Sequence, residues 1–347
     1  MRTFWMFRSN IRNLEYYHSE PFHKLEWFKE ACHDFYMLFP LWLLENNYFD
    51  EVIIWRLSSN QVEDIVFNIN GKKYIQKWVK NFNQTIYYSA PDISFWRGGF
   101  KEYDEATKLN PKHFGLKLYL GAGRRTFSQW GGKYDVYLVE DERDVVQNVT
   151  ILPFYKTASP SVFQKLESDL FKINWDICWP CNFEQIRYKG QEYFLNLIAN
   201  DEYLKTLKIV HCGNKNEVGK KICQEHNINN IHFAGQVDRP QLNMFLNRSK
   251  FGLNLSNLQD GCPRVSTEIL MSETPLIVSE ETRLLKYYKQ QGVIEVNQKN
   301  IVNRIKFAMN NYEILKEQVS YAVNNELSFD NICKKNIELW AKNRLPV

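Results

Sequence analysis

Residues 254–279 read Asn254-Leu-Ser-Asn-Leu-Gln-Asp-Gly-Cys-Pro-Arg-Val-Ser-Thr-Glu-Ile-Leu-Met-Ser-Glu-Thr-Pro-Leu-Ile-Val-Ser279. The pattern predicts the end of a strand, a loop that contains Gly261 and Pro263, a helix that starts near Val265, and a second strand after a short turn. In a parallel sheet, the backbone N–H groups of such a helix start converge, and the helix dipole favours an anion there. The stretch therefore predicts a phosphate-binding site at the carboxyl edge of a parallel sheet.

Side chains in the first turn of this predicted helix extend the site. Ser266 and Thr267 can add hydroxyl donors to the backbone N–H groups. Glu268 lies one turn inside the helix and faces the same crevice, where a carboxylate can accept hydrogen bonds from ribose hydroxyls. The residue types favour a ligand with both phosphate and ribose.

At these residues the sequence resembles the retaining GT-B glycosyltransferases of family 4. Their hallmark is an acidic residue followed by Gly-x-Pro, and then a Glu after seven intervening residues. Here Asp260-Gly261-Cys262-Pro263 leads to Glu268 with that spacing. The resemblance implies that Asp260 binds the hydroxyls of the donor sugar and that Glu268 binds the ribose, although the first acid is more often Glu in the family.

The resemblance also covers segments upstream of this motif. Residues 231–237 look like the strand and glycine that lie near the nucleotide base, and Lys189 resembles the lysine of the family's donor-phosphate region. The family's arginine, five residues before that lysine, is replaced by Glu184. Arg187 is the candidate to take its place against the diphosphate, and a solvent-exposed arginine is the alternative. The implied catalytic residues are Asp260, Arg187 and Lys189; the implied donor-binding residues are Glu268, Gly261, Pro263, Arg264, Val265, Ser266, Gly235 and Gly213.

Two glycine-rich loops in the first half of the chain are candidates for the acceptor side of the site. The stretch Ser94-Phe-Trp-Arg-Gly-Gly-Phe100 supplies Arg97, Gly98 and Gly99, and Leu120-Gly-Ala-Gly-Arg-Arg125 supplies Arg124. Each loop can also be an ordinary tight turn. The first half lacks the family's glycine-rich first loop, so the resemblance covers about half of the chain.

Strands alternate with helices along most of the sequence, which predicts an α/β fold with two Rossmann-like, doubly wound domains. A length of 347 residues also suits two domains. The GT-B resemblance implies that the domains face a central cleft and that a C-terminal helix crosses back to the first domain. We expect an N-terminal acceptor domain over residues 1–165, a nucleotide-sugar donor domain over residues 166–325, and the returning helix over residues 326–347.

Six local predictions bear on where the elements begin and end. Residues 25–45 read as one long helix, and residues 85–88 read as a strand. Residues 149–161 read as a loose linker, followed by a polar helix over residues 161–171. The second half reads as five strands and five helices in strict alternation, and then a helical tail from Asn300 to the end.

Composition excludes several classes of protein. A net charge of +4 with scattered basic residues is too weak to predict nucleic-acid binding. Seven cysteines without regular spacing do not form a disulfide framework, and Cys178-x-x-Cys181 has no second pair with which to hold zinc. No Asp-x-Asp metal motif is present. We therefore expect no metal and no cofactor.

The most apolar stretch, residues 35–44, is shorter than the roughly 20 residues that a membrane span needs. No signal peptide is apparent at the start of the sequence. We expect a cytoplasmic protein, and peripheral contact with the inner face of the membrane remains open. The sequence gives no indication of the oligomeric state.

The resemblance implies a hexosyltransferase that moves a sugar from a UDP- or GDP-linked donor to a glycan or glycolipid acceptor, with retention and without a metal. Three alternatives remain open: an inverting transferase, a nucleotide-sugar epimerase, or a non-catalytic protein that binds a nucleotide or sugar. A Rossmann dehydrogenase is disfavoured because no Gly-x-Gly-x-x-Gly follows the first strand.

Overall fold

A computed structural model describes residues 1–8, 24–32, 34–58, 63–98, 101–121, 132–144, 149–167, 172–183, 189–257 and 264–347. The chain divides into two compact units: Met1–Ser161 together with Cys333–Val347, and Val162–Ile332. Each unit is built around its own sheet, and parallel pairing dominates in both sheets. This arrangement confirms the predicted α/β class with two doubly wound domains.

The sheet of the first unit has the strand order β3-β4-β2-β1-β5-β6-β7-β8. Its neighbouring strands are parallel, apart from the antiparallel pair β3–β4 at one edge. That pair is a hairpin, and its turn residues Asn70 and Gly71 both have positive φ, 50° and 79°. The strands are β1 (Thr3–Arg8), β2 (Glu51–Leu57), β3 (Ile65–Ile69), β4 (Lys72–Val79), β5 (Ile93–Arg97), β6 (Leu116–Leu120), β7 (Val136–Val139) and β8 (Thr150–Pro153).

The sheet of the second unit is wholly parallel in the order β11-β10-β9-β12-β13-β14. Its strands are β9 (Trp175–Pro180), β10 (Ile209–Cys212), β11 (Ile231–Gly235), β12 (Ser249–Asn254), β13 (Leu276–Ser279) and β14 (Val293–Val296). The order reverses between β9 and β12, and in the first sheet it reverses between β1 and β5. Open α/β sheets bind ligands at the carboxyl ends of the strands at such switch points.

Helices cover both sheets. Those of the first unit are α1 (Leu25–Ala31), α2 (Phe35–Glu45) and α3 (Lys101–Leu109). Those of the second unit are α4 (Gln191–Asn200), α5 (Glu202–Thr206), α6 (Asn216–Glu225), α7 (Arg239–Asn247), α8 (Arg264–Met271), α9 (Lys286–Lys289), α10 (Ile301–Asn310) and α11 (Tyr312–Asn325). The last helix, α12 (Phe329–Lys342), contains the point between Ile332 and Cys333 at which the chain returns to the first unit.

The structure corrects two predictions in the first unit. Residues 25–45 form two helices because the Asp34 side chain accepts a hydrogen bond of 3.1 Å from the Tyr36 N–H and so starts α2 as an N-cap. Residues 85–88 fall largely in a 3₁₀ helix, Phe82–Tyr87, whose start is fixed by a capping box between Asn81 and Gln84. The β-branched and aromatic residues of this segment favoured a strand, but the capping residues Asn81 and Gln84 stabilise a helical start instead.

Further corrections concern the linker and the second unit. The predicted linker contains β8, and residues 161–167 form turns and irregular structure where a helix was expected. Residues 168–171 lie outside the described residues. The second sheet has a sixth strand, β14, that the sequence pattern did not reveal. The last of the five expected helices is limited to α9.

The apolar stretch 35–44 is buried within the first unit. Every residue from Phe35 to Leu44 in α2 is buried. The returning helix α12 adds Trp340, whose ring packs against those of Phe39 and Phe154 with centroids 5.7 and 6.4 Å away. Among the described residues, no helix is long and apolar enough to cross a membrane.

Candidate functional site

The switch point of the second sheet brings two of the predicted segments together. Lys189 and Gly190 follow β9 and start α4, whereas Leu255 directly follows β12. Gly190 has φ +70°, and a Cβ placed there would lie 2.8 Å from both the Cβ and the carbonyl oxygen of Leu255. The chain therefore needs glycine here for its left-handed backbone and for the close approach of the two segments.

We expect Gly190→Ala to lower the free energy of unfolding of the second unit by about 3 kcal/mol, because backbone strain and steric overlap add. The matched control is Gly71→Ala, since Gly71 has a similar φ of +79° but no atom within 4 Å of the place that a Cβ would take. In the control, backbone strain alone should lower the free energy of unfolding, by about 1 kcal/mol. Urea unfolding followed by circular dichroism measures both, and equal costs would show that contact with Leu255 is unimportant.

The loop that leaves β12 is held by buried hydrogen bonds. Asn254 Nδ2 donates to Ser266 Oγ at 2.8 Å, and Asn254 Oδ1 accepts from Ser256 Oγ at 2.7 Å and from the Ser256 N–H at 3.0 Å. The Ser256 carbonyl in turn accepts from Thr282 Oγ1 at 2.7 Å. Ser266 is fully buried. Its hydroxyl thus ties α8 to the end of β12, which makes it a support for the helix start.

Glu268 lies in α8 and is only 3% exposed. Its Oε2 accepts a hydrogen bond of 2.8 Å from Nη1 of Arg239, the first residue of α7. Among the described residues, no donor contacts the other oxygen, Oε1. A buried carboxylate needs a partner of opposite charge, so Arg239 stabilises Glu268 in a fixed position and leaves one oxygen able to accept from a ligand.

Arg239 was missed at the sequence level. The signal was local: Asp238 and Pro240 mark a helix start, and the structure shows Asp238 as an N-cap that accepts from the Gln241 N–H at 2.8 Å. That cap fixes where Arg239 leaves the helix. Its pairing with a residue of α8 depends on how the helices pack, which the local pattern does not contain.

The glycines predicted near the base, Gly213 and Gly235, lie at the carboxyl ends of β10 and β11. The Gly213 N–H donates to the Gly235 carbonyl at 2.8 Å, and a Cβ at Gly213 would overlap the carbonyl oxygen of Cys181. Oriented with its amide nitrogen toward His211, Asn216 donates to His211 Nδ1 at 3.3 Å and to the Gly213 carbonyl at 2.9 Å, and accepts from the Gly235 N–H at 2.9 Å. One side chain therefore joins the ends of both strands.

His211 is fully buried beneath this network. Burial lowers the pKa of His211 to about 4, although its contacts with Asn216 and Cys181 act in the opposite direction. The ring packs against Phe183 and Phe233, with centroids 4.7 and 5.5 Å away. The apolar surroundings keep the imidazole neutral at ordinary pH.

This pKa predicts a pH-dependent stability. Above about pH 6.5, His211 is neutral in both the folded and the unfolded chain; below it, the unfolded chain takes up a proton that the folded chain does not. The free energy of unfolding of the second unit should therefore fall by about 2 kcal/mol between about pH 7 and about pH 5. Urea unfolding of His211→Gln should show a smaller fall than the wild type. His226→Gln, at an exposed position, is the control and should retain the full pH effect.

A pocket of about 390 Å³ adjoins the switch point at the carboxyl ends of β12, β13 and β14. Its lining includes Gly190, Leu255, Asn257, Glu280, Glu281 and Lys299. Oxygen-rich walls of this kind accept hydrogen bonds from hydroxyl groups, and the volume suits a small ligand. No sequence pattern predicted this pocket, because its walls come from the ends of three strands that are far apart in the chain.

The first unit places one predicted acceptor-side loop at its own switch point. Arg97 ends β5, and its guanidinium carbon lies 4.1 Å from the centre of the Tyr36 ring. Burial alone would lower the pKa of Arg97, but the Tyr36 phenol and the Asp34 and Glu140 carboxylates outweigh it and raise that pKa. Gly98 follows with φ +109°, and its N–H donates to the Leu120 carbonyl at 2.9 Å.

Several predicted residues lie outside the described residues: Arg187, Asp260, Gly261, Pro263, Gly99 and Arg124. Lys189, Arg264, Val265 and Glu268 are described and belong to the two segments that meet at the second switch point. In the part of the chain that the structure describes, no cluster of three or more His, Cys, Asp or Glu residues is arranged to hold a metal ion.

Comparison with protein families identifies a known domain within the second unit. The family model described as "Glycosyl transferases group 1" matches residues 184–327, which include both segments of the switch point. Residues 184–327 therefore form a glycosyltransferase group 1 domain. Comparison of the sequence with curated proteins gives no significant match.

Solved structures confirm the GT-B fold over nearly the whole chain. A sucrose-phosphate synthase from Thermosynechococcus elongatus superposes with a TM-score of 0.67 at 11% identity, covering 99% of both chains. A UDP-forming trehalose-phosphate synthase from Burkholderia vietnamiensis gives 0.60 at 10% identity, covering 99% of this chain and 98% of the other. An E. coli trehalose-6-phosphate protein bound with UDP-2-fluoro glucose gives 0.62 at 10% identity, covering 97% and 98%. At these identities the likeness concerns the fold alone.

Proposed function

We propose that this glycosyltransferase moves a hexose-type sugar from a UDP- or GDP-linked donor to a glycan or glycolipid acceptor, with retention of anomeric configuration and without a metal ion. The observation that carries the proposal is the contact of Gly190 with Leu255, which joins the segment after β9 to the loop that leads into α8. Both segments fall within the matched group 1 region. Two of the similar structures involve a uridine diphosphate donor or product, which supports a nucleotide sugar as the donor.

The donor is proposed to bind across the second switch point. Its diphosphate would accept hydrogen bonds from N–H groups at the start of α8, which begins at Arg264, and would contact Lys189. Oε1 of Glu268, which no donor contacts within the described residues, would accept a hydrogen bond from a ribose hydroxyl while Arg239 holds Oε2. Asp260 is assigned to the sugar hydroxyls on the resemblance alone.

In the proposed reaction, the bond between the anomeric carbon and the diphosphate oxygen breaks, a bond to an acceptor hydroxyl oxygen forms, and the hydroxyl proton leaves with the diphosphate. Negative charge grows on the departing diphosphate. Cations and N–H groups that are already directed at that position stabilise the transition state more than the ground state. Lys189, Arg187 and the amino end of α8 are the groups assigned to this role.

The proposal is tested in two steps. Thermal unfolding with UDP, GDP or ADP should show a raised midpoint with one nucleotide, since a ligand at a hundred times its dissociation constant stabilises the native state by about 2.7 kcal/mol. NMR of the anomeric proton in the product formed from the matching donor sugar then reports retention or inversion. No shift with any nucleotide would contradict the donor site. Binding without transfer or hydrolysis would favour a non-catalytic binding protein, and an inverted product would contradict retention.

A further inference from the structure

The pocket at the carboxyl ends of β12, β13 and β14 lies on the opposite face of the second sheet from α8. Along β12, a Cβ at Gly252 would overlap the side chain of Ile269 in α8, and Asn254 donates to Ser266 of α8 at 2.8 Å. Side chains alternate between the two faces of a strand, so the next residue, Leu255, points to the other face. There it packs in a hydrophobic cluster with residues of α4 and α10. The pocket is therefore separated by the sheet from the start of α8, where the donor diphosphate is proposed to bind.

The pocket has an apolar part that is formed by buried side chains and one aromatic ring. Leu255, Val296 and Ile301 are buried and belong to its lining. Tyr193, in the first turn of α4, is half-buried, and its hydroxyl donates to the Gln298 carbonyl at 3.1 Å. This hydrogen bond holds the ring between α4 and the loop that leads into α10. An aromatic ring beside aliphatic side chains offers the apolar surface on which the C–H face of a sugar can pack.

The polar part of the pocket comes from the loops that follow β13 and β14. Its exposed members are Glu280, Glu281, Gln298 and Lys299. Asn297 joins the two loops, because its Nδ2 donates to Glu280 Oε2 at 3.0 Å and its Oδ1 accepts from the Lys299 N–H at 3.0 Å. Carboxylate oxygens accept hydrogen bonds from hydroxyl groups, and an ammonium group donates to hydroxyl and ring oxygens. The two loops therefore present both acceptors and donors around one small cavity.

The charge of the lining restricts the class of ligand. Two carboxylates and one ammonium group leave a formal excess of one negative charge, which disfavours a phosphate or a carboxylate as the ligand. Within the described part of the chain, no group of three or more His, Cys, Asp or Glu residues is arranged to hold a metal ion. The volume of about 390 Å³ is near the lower end of the range of ligand pockets, about 300–1,000 Å³. These features favour a small, uncharged molecule with several hydroxyl groups and an apolar face.

We propose that this pocket is a second carbohydrate-binding site, which takes a neutral sugar unit other than the one that is transferred. The sugar hydroxyls donate to Glu280 and Glu281, and Lys299 donates to a sugar oxygen. The C–H face of the ring packs on Tyr193 and Leu255. The site goes beyond the proposed function, because it lies on the other face of the sheet from the start of α8 and needs no nucleotide in order to bind its ligand.

The binding experiment is a ligand-observed NMR titration of the full chain, without nucleotide, with glucose, galactose and mannose. We expect at least one of these hexoses to bind with a dissociation constant of about 1 mM. Glu281→Gln should weaken that binding about tenfold, since a hydrogen bond to a charged acceptor is replaced by one to a neutral amide. Ser279→Leu should abolish it, because Ser279 belongs to the lining and the larger side chain would occupy part of the cavity.

Two control variants test whether the effect belongs to this pocket. Glu313→Gln removes the same charge at an exposed position of α11 and should leave hexose binding unchanged. Glu268→Gln changes the proposed ribose contact on the other face of the sheet and should also leave it unchanged. Circular dichroism checks that each variant is folded. If Ser279→Leu does not fold, the comparison of Glu281→Gln with the two controls carries the test.

Several outcomes would overturn the proposal. They are the absence of hexose binding by the wild type, equal binding by the wild type and Glu281→Gln, and an equal loss in Glu281→Gln and either control. Titration with the 6-phosphates of the same sugars tests the ligand class. Tighter binding of a 6-phosphate than of its hexose, in a manner lost in Glu281→Gln, would contradict a neutral ligand.

Failure of this inference can be distinguished from failure of the proposed function. A nucleoside diphosphate that raises the midpoint of thermal unfolding should not displace the hexose, since the two sites lie on opposite faces of the sheet. Displacement would overturn the second site and leave the donor site intact. Hexose binding that Glu281→Gln weakens, in a chain that binds no nucleotide, would contradict the proposed function and support the second site.

Discussion

Replacing Glu268 with Gln is expected to lower kcat/KM for the nucleotide-sugar donor about 100-fold. The amide keeps the shape of the side chain but removes the charged acceptor for the ribose, and a hydrogen bond to a charged group contributes about 1.5–3 kcal/mol. In the wild type, Arg239 Nη1 lies 2.8 Å from the Glu268 carboxylate oxygen. The substitution leaves this guanidinium next to a neutral amide. Steady-state kinetics over donor concentration measures the change, and most of it should be in KM because the ribose contact is made before and during the reaction.

A ligand series makes this prediction specific to the ribose. If Glu268 accepts from a ribose hydroxyl, a 2′-deoxy or 3′-deoxy nucleotide should bind more weakly to the wild type, and Glu268→Gln should add little to that loss. Additive losses would contradict the contact. The matched control is Asp176→Asn, because Asp176 also pairs with a cation, Lys250 at 2.8 Å, but lies at the amino end of β9, on the opposite edge of the sheet. The control should change kcat/KM by less than about twofold.

The local signals in the sequence were sufficient for the strand and the helix on either side of residues 258–263. The apolar run before Asn254 and the Gly-Pro loop after it predicted a strand, a turn and a helix; the structure has β12 ending at Asn254 and α8 beginning at Arg264. Such features follow from residues that are near neighbours in the chain, so a pattern of hydrophobicity and turn residues contains them. No role was assigned to Gly190 from the sequence, and the structure shows why glycine stands there: its close approach to Leu255.

The sequence pattern could not predict features that depend on strand order. Each of Arg8, Arg56 and Arg97 stands at the end of a strand that is recognisable by itself, but they form a row only because β2, β1 and β5 are neighbours. The pair of Arg239 with Glu268 likewise needs α7 and α8 to pack together. Sequence separation hides these contacts because local propensity does not determine which distant elements become neighbours.

Lys189→Met is expected to lower kcat about 100-fold with a smaller change in KM for the donor. Lys189 directly precedes Gly190 at the start of α4, on the loop between β9 and that helix. A cation assigned to the departing diphosphate stabilises the charge that grows during bond cleavage, so its removal acts mainly on the transition state. Electrostatic contacts of this kind contribute about 2.7–4 kcal/mol. Lys189→Arg should recover part of the rate, because it restores the charge.

The split between kcat and KM decides whether Lys189 acts in the chemical step. A rise in KM at constant kcat would mean that the lysine holds the donor equally in the ground state and the transition state, and would contradict the catalytic role. The matched control is Lys220→Met on α6, where the lysine is exposed and lies 3.6 Å from Glu217 of the same helix. Its removal changes the net charge of the unit by the same amount but leaves the switch point untouched. A similar loss of kcat in both variants would attribute the effect to overall charge, whereas a loss confined to Lys189→Met, with recovery in Lys189→Arg, assigns it to the position beside Gly190.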